Sequence, residues 1–131
     1  MRVLLQRVSR ALVRVDGELV GEIGAGHVLL VGFRPGDTEA ELSWMADKIL
    51  GLRVFADEAG KMNRSVLDVG GMILLVSNFT LHGDCRKGRR PGFDAAAEPA
   101  LAEELYEKVA ELIAKRDYEE LDLLIMSHLL A

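Results

Sequence analysis

Residues 27–33 read HVLLVGF, an almost continuous apolar run that includes β-branched valines. Such a run is expected of a strand that is covered on both faces, because hardly any position in it suits contact with water. We therefore interpret residues 27–33 as a central strand of a β-sheet. A second apolar run, from Met72 to Val76, follows the Gly70-Gly71 break and predicts another buried strand.

The segments on either side of the central strand carry turn and cap signals. Upstream, Asp16-Gly17 separates two apolar alternations, and this pair favours a hairpin because both positions of a type I′ turn need positive φ. Downstream, residues 34–37 supply a turn, and Thr38 with Glu41 forms a capping box. The sequence therefore predicts a helix that begins near Glu39.

Helical spacing of apolar residues continues after that cap. The predicted buried stripe of this first helix consists of Leu42, Met45, Ala46, Ile49 and Leu50. Gly51 is a plausible C-terminal stop, and Leu52 to Phe55 is interpreted as a further strand. Trp44 lies off the stripe, which favours a partly covered surface aromatic over a ligand contact, with a subunit interface as the sharper alternative. A second helix is predicted from Leu101 onward, with Glu104 paired to Lys108 and Glu111 to Lys115 across its turns.

Composition limits the class of protein. The chain has 131 residues, of which 50% are hydrophobic and 28% charged, so we expect one α+β domain over residues 1–131. No apolar stretch approaches the ~18 residues of a membrane span, and Cys85 is the only cysteine, which fits a reducing, cytoplasmic location. The net charge of −5 means that any RNA contact must come from a local basic patch.

The residues that carry chemistry follow the second predicted strand. Ser77 to Leu81 reads SNFTL, and the end of a strand is where backbone amides become free to point at a ligand. This position favours an oxyanion hole. The plainer alternative is that the hydroxyls of Ser77 and Thr80 only satisfy amides of the loop.

A basic cluster comes next along the chain. Four cations occupy five positions, namely Arg86, Lys87, Arg89 and Arg90. A solvated loop without a partner is one interpretation, but cations that repel one another suit phosphate groups better. We therefore favour phosphate binding at this loop.

Other catalytic signatures are absent from the sequence. There is no Gly-x-Ser-x-Gly elbow, His-Glu-x-x-His motif or Walker loop, and the three histidines are far apart, so no metal site is predicted. His82 and Cys85 could form a base and a thiol nucleophile. A spacing of three positions in a loop guarantees no such geometry, and a spectator cysteine is the favoured interpretation.

Several blocks of the sequence together resemble the D-aminoacyl-tRNA deacylase family. In family order, these blocks are 6–11 (QRVSRA), 15–17 (VDG), 46–50 (ADKIL), 60–63 (GKMN), 67–71 (LDVGG), 77–81 and 86–93. The resemblance implies a homodimer built around a curved mixed or antiparallel sheet with two main helices. It also implies hydrolysis of D-aminoacyl esters at the tRNA 3′ end, at a site near the subunit interface, without a cofactor.

The resemblance assigns roles to individual residues. Ser77, Asn78 and Leu81 match the family's Ser-Gln-x-x-Leu motif, and Thr80 stands where a nucleophile is sometimes proposed. The catalytic group is therefore expected to comprise Ser77, Asn78, Phe79 and Thr80, with free amides of Phe79 and Thr80 holding the oxyanion. Arg7 and Leu81 are expected at the substrate pocket, and the cations at positions 86, 87, 89 and 90 at the tRNA.

Two departures from the family keep alternatives open. Asn78 replaces the usual Gln, which shortens the side chain by one methylene. The family's second motif, with a Gly-Pro pair that excludes L-amino acids, has no counterpart here, since none of the three prolines follows a glycine. A tRNA-binding paralogue with impaired catalysis is therefore the main alternative, and a synthetase-associated assembly subunit is another. The tail after Lys115 is expected to form one strand or a helix turn.

Overall fold

The computed structural model describes residues 1–115 and the backbone of residues 122–126. Its main sheet contains β1 (Arg2–Val8), β4 (Gly26–Gly32), β7 (Met72–Ser77) and β8 (Asp122–Met126), in the order β1-β4-β7-β8. β1 runs antiparallel to β4, whereas β4, β7 and β8 are parallel to one another. The sheet is therefore mixed, with the predicted central strand between β1 and β7.

The remaining described elements cover or connect this sheet. They are the hairpin β2 (Ala11–Val15) and β3 (Glu18–Ile23), helix α1 (Glu39–Gly51), the short pair β5 (Phe55–Ala56) and β6 (Met62–Arg64), a 3-10 helix (Phe79–His82), and helix α2 (Pro99–Ala114). α1 and α2 pack on one face of the sheet, around Leu29, Val31 and Leu75. The hairpin packs on the other face, where Ile23 and Leu74 are buried.

The local sequence signals account for the turns and caps. Asp16 and Gly17 have φ values of 51° and 82°, as a type I′ hairpin turn requires. The side chain of Thr38 accepts from the amide of Glu41, and the Glu41 side chain accepts from the amide of Thr38, so the predicted capping box is present. Helix α1 consequently begins at Glu39 and ends at Gly51.

Three details differ from the sequence-based expectation. The predicted strand over 52–55 is wrong for residues 52–54, because the chain pairs with β6 only through Phe55 and Ala56. α2 begins at Pro99, two residues before the expected start, because proline is compatible with the first turn of a helix. In α2, Lys108 pairs with Glu39 of α1 at 3.2 Å rather than with Glu104, which links the two helices.

Helix α2 also fixes the strand that leads to the predicted site. The buried hydroxyl of Tyr106 donates a 2.7 Å hydrogen bond to the carbonyl of Leu75 in β7. A strand backbone that receives a buried side-chain bond in addition to its ladder bonds is restrained along its length. Of the tail, residues 122–126 form β8, and residues 116–121 and 127–131 lie outside the described part of the chain.

Candidate active site

The SNFTL segment lies at the end of β7, beside the end of β4. Ser77 is the last residue of β7 and pairs with Val31, and the amide of Asn78 donates a 2.8 Å bond to the Val31 carbonyl. The chain then turns into the 3-10 helix that begins at Phe79. Ser77, Asn78, Phe79 and Thr80 are therefore brought together, with Thr80 exposed and the other three half-buried.

A glycine of β4 makes this turn possible. A Cβ atom on Gly32 would lie 2.8 Å from the carbonyl oxygen of Asn78 and 3.2 Å from Cβ of Leu81. Real Cβ atoms essentially never approach backbone oxygen that closely. Gly32 therefore lets the 3-10 helix lie directly against the end of the central strand, a close approach that glycine permits because it lacks a side chain.

The expectation that both amides of Phe79 and Thr80 are free is wrong for Thr80. The amide of Thr80 donates a 3.0 Å bond to Oδ1 of Asn78, which caps the helix. The amide of Phe79 belongs to the first residue of the helix, where no intrahelical partner is available. Within the described residues the Phe79 amide thus has no hydrogen-bond acceptor, whereas the Thr80 amide is covered by the side chain of Asn78.

Within the part of the chain that the structure describes, Thr80 has no basic partner of the kind that activates a nucleophilic hydroxyl. Its hydroxyl donates a hydrogen bond to Oδ1 of Asn78 at 2.5 Å. An amide oxygen accepts such a bond but is too weak a base to remove the proton of an attacking hydroxyl. The thiol alternative has no better geometry. His82 is buried with Nδ1 bonded to Arg34, whereas Cys85 is exposed.

The two predicted pocket residues occupy different places. Leu81 lies in the 3-10 helix, half-buried, and its carbonyl accepts a 2.8 Å bond from Nη1 of Arg2. Arg7 of β1 pairs with His27 of β4. The β1 residue at the level of Ser77 is Val3, because Val31 pairs with both, and Arg7 is four positions along the strand from Val3. At ~3.3 Å per residue, Arg7 is roughly 13 Å along the sheet from the level of Ser77. Within one chain it does not reach the SNFTL segment, and its guanidinium instead donates to the carbonyl of Val54.

The basic cluster forms a closed loop beside the helix, here called the basic hairpin (residues 84–92). Reciprocal backbone bonds of 2.7 and 2.8 Å join Asp84 and Gly92 at its base. Immediately after it, the ring of Phe93 meets the ring of Phe79 edge-on, with centroids 4.8 Å apart. The basic hairpin is therefore fastened to the first residue of the 3-10 helix.

The four cations of the basic hairpin are not equivalent. Arg86 forms bonds of 2.9 and 2.7 Å to the two carboxylate oxygens of Asp84. This side-chain contact lowers the pKa of Asp84 and raises that of Arg86. Lys87, Arg89 and Arg90 are exposed and make no ion pair within the described residues. The excess positive charge of the loop lies on these three.

The sequence did not identify two groups near the site. Arg2 and Arg34 both contact the 3-10 helix, through Leu81 and His82 respectively. Each lies 48 or more positions from the residue that it binds, so no local spacing signals the pairing. Among residues 1–115 and 122–126, no cluster of three or more potential metal ligands is found, and no helix there is long and apolar enough to cross a membrane.

The family model described as D-Tyr-tRNA(Tyr) deacylase matches residues 4–122. A D-aminoacyl-tRNA deacylase of Desulfitobacterium hafniense is 62% identical over 108 residues, which cover 82% of this chain and 72% of that protein. The protein of the same description from Stenotrophomonas maltophilia is 59% identical over 112 residues, covering 86% of this chain and 77% of that one.

Two solved structures superpose on this chain. The structure of the c-Myc DNA Unwinding Element Binding Protein superposes with a TM-score of 0.86 at 42% identity, covering 94% of this chain and 83% of that one. A "probable eukaryotic D-amino acid tRNA deacylase" superposes with a TM-score of 0.71 at 20% identity, over 85% of this chain and 65% of that one, which supports the fold alone. On the family match and the relatives' identity, the chain belongs to the D-Tyr-tRNA(Tyr) deacylase family.

Proposed function

We propose that this protein hydrolyses the ester bond of D-aminoacyl-tRNA, releasing the free D-amino acid and the tRNA. Family membership supports the reaction, and one structural observation supports its place: the SNFTL segment is held at the end of a buried strand with the Phe79 amide at a helix start. An amide there can donate to a carbonyl oxygen that gains negative charge.

In the proposed reaction, the ester carbonyl lies against the amide of Phe79. Water attacks the carbonyl carbon, the oxyanion forms, and collapse expels the ribose oxygen of the tRNA. The terminal ribose hydroxyl assists the proton transfer, as the family resemblance implies, so no side chain serves as an indispensable base. Each well-placed donor is worth ~2.7–4 kcal/mol of transition-state stabilisation.

Asn78 regulates the second donor in this scheme. Its Oδ1 covers the Thr80 amide, so the side chain must rotate before this amide can also reach the oxyanion. The same rotation breaks the hydrogen bond of the Thr80 hydroxyl, because the hydroxyl and the amide of Thr80 donate to the same oxygen. Thr80 therefore acts through its amide, and its hydroxyl is dispensable.

The basic hairpin supplies the tRNA contact. Lys87, Arg89 and Arg90 carry charge that is unpaired within the described residues, and the contact of Phe93 with Phe79 supports a position of the basic hairpin near the proposed carbonyl site. Arg86 holds the shape of the loop through Asp84 and contributes less to phosphate binding. Lysine and arginine in such a position neutralise phosphates and make binding depend on salt.

We also propose that the protein acts as a cytoplasmic homodimer. Large apolar side chains on the strands are exposed in the single chain, including Leu4 (47%), Leu19 (49%) and Val20 (42%). Exposed apolar surface of this kind favours association. Arg7, distant from Ser77 in one chain, would then reach a pocket formed with the second copy. Light scattering that gives the mass of one chain would contradict this assembly.

The deciding experiment measures amino acid release from matched D- and L-aminoacyl-tRNA. We expect loss of the D-ester that persists in Thr80→Ala and is reduced when Lys87, Arg89 and Arg90 are replaced together by alanine. Binding of tRNA without turnover would favour the alternative, a tRNA-binding paralogue with impaired catalysis. Equal loss of the L-ester would show that the chiral gate is absent.

A further inference from the structure

His82 is a buried polar residue that the proposed reaction does not use. It is the last residue of the 3-10 helix and is 2% exposed. Its ring packs against β4, since a Cβ on Gly32 would lie 3.1 Å from ring atom Cδ2. Burial of a polar side chain costs desolvation free energy unless hydrogen bonds compensate for it, so the partners of His82 are informative.

The hydrogen bonds of His82 define its protonation state. Nε of Arg34 donates a 3.3 Å bond to Nδ1 of His82, so Nδ1 holds a lone pair and the proton of the neutral ring is on Nε2. Nε2 makes no well-aligned hydrogen bond in the described residues, although the carbonyl of Gly32 lies close enough to the ring to raise its pKa. The ring is thus neutral and serves as an acceptor for an arginine.

The charges around this ring oppose its protonation. Three cationic groups act on the His82 ring: the α-ammonium of Met1, Arg2 at the start of β1, and Arg34 in the turn after β4. The carboxylate of Asp37 in that turn forms an ion pair with the ammonium at 2.6 Å. Two positions along the chain from His82, Asp84 is paired with Arg86. Burial first, and then the charges of the ammonium, Arg2 and Arg34, lower the pKa of His82, whereas the carbonyl of Gly32 opposes this.

Two arginines hold consecutive residues of the 3-10 helix. Arg2 binds the carbonyl of Leu81, and Arg34 binds the ring of His82. At the other end of the same helix, Asn78 is tied to Val31. A helix of four residues that is fixed at both ends has little freedom to change the direction of its first amide.

We propose that His82 is a positioning residue: its neutral ring, held by Arg34, fixes the 3-10 helix whose Phe79 amide receives the ester carbonyl, and protonation of the ring releases that helix. Protonation places an N–H of the ring against the N–H of Arg34, so the bond is broken and two cations face each other. Hydrolysis is then switched off at acid pH because the site geometry is no longer held. This inference rests on the proposed function.

The test compares His82→Asn and His82→Leu with the wild type. Asparagine places an amide oxygen where Nδ1 stood, and it does not titrate; leucine removes the acceptor. We expect kcat of His82→Leu to fall about tenfold at unchanged KM, as for the removal of one positioning bond, and His82→Asn to restore it. The wild type loses kcat/KM as pH falls below the ordinary range of histidine, and His82→Asn keeps it.

His27→Leu is the matched control, since His27 is also buried and neutral but pairs with Ile73, four positions before Ser77. Its acid limb should equal that of the wild type.

An amide readout separates this inference from the proposed function: 1H–15N shifts of Phe79 and Thr80 should follow pH in the wild type and His27→Leu, but not in His82→Asn. A wild type without deacylase activity that still shows this transition would contradict the function alone. Unchanged kcat in His82→Leu, or the same acid limb and the same shift transition in His82→Asn, would overturn the role of His82.

Discussion

Oδ1 of Asn78 accepts two bonds from Thr80, one from its amide at 3.0 Å and one from its hydroxyl. The residue that caps the 3-10 helix therefore also covers a potential oxyanion donor. Capping by asparagine is favoured at this position of a helix because its short side chain reaches the amide two residues ahead.

Replacing Asn78 with glutamine tests the consequence. Glutamine is a poorer cap, so the Thr80 amide is free for more of the time, and we expect kcat/KM for the D-ester to rise about fivefold, the factor for a bond worth ~1 kcal/mol. The measurement is single-turnover hydrolysis, with a urea midpoint to follow stability. A fall in rate with unchanged stability would mean that the asparagine amide itself contacts the transition state.

The basic hairpin predicts a difference in salt dependence between its cations. Triple replacement of Lys87, Arg89 and Arg90 by alanine should reduce the slope of log affinity against log salt by ~0.7–0.9 for each phosphate that is no longer neutralised. The control is the double change Asp84→Asn with Arg86→Gln, which leaves the net charge unchanged and should keep the slope. Filter binding of tRNA over a salt series measures both. An equal reduction of the slope in the two variants would contradict the division of roles.

Gly32 should be essential for the geometry of the site. In Gly32→Ala the new Cβ displaces the Asn78 carbonyl, and we expect kcat to fall on the order of 100-fold, as a misplacement of ~1 Å can cause. Gly36→Ala is the control, because a Cβ there has no neighbour within 4 Å. Rates within twofold of the wild type for both variants would contradict the close packing of the 3-10 helix on β4.

His27 predicts how stability depends on pH. Its ring is fully buried, neither nitrogen has a hydrogen-bond partner within the described residues, and burial lowers its pKa to about 4. Because the folded-state pKa lies below the unfolded value of ~6.5, this contribution to stability is fully present above pH ~6.5 and is lost as pH falls toward 4.

The expected decrease in stability over that window is at most about 3 kcal/mol, from 1.36 kcal/mol per pKa unit. His27→Leu removes the titration, and its urea midpoint should fall less between pH 7 and pH 5 than that of the wild type. It should also be higher at pH 7, since two unpaired nitrogens are removed. Parallel pH dependence in the two proteins would show that His27 is not the titrating group.

The sequence by itself determined the elements that depend on near neighbours. The Thr38–Glu41 capping box, the Asp16-Gly17 turn and the strand through Met72 to Val76 were all predictable, because their hydrogen bonds or apolar pattern involve residues a few positions apart. The family and the SNFTL segment were also recognisable from the sequence, because motifs in a fixed order along the chain identify them.

Only the tertiary structure decided which groups at the site are free. The pairing of Arg86 with Asp84 leaves three cations rather than four for a ligand, and the Asn78 cap covers Thr80. Arg34 reaches His82 across 48 positions, and Arg7 lies far from Ser77 because β1 and β4 run antiparallel. Such contacts are set by strand order and register, and a residue's type and local spacing do not encode which distant partner the completed sheet brings to it.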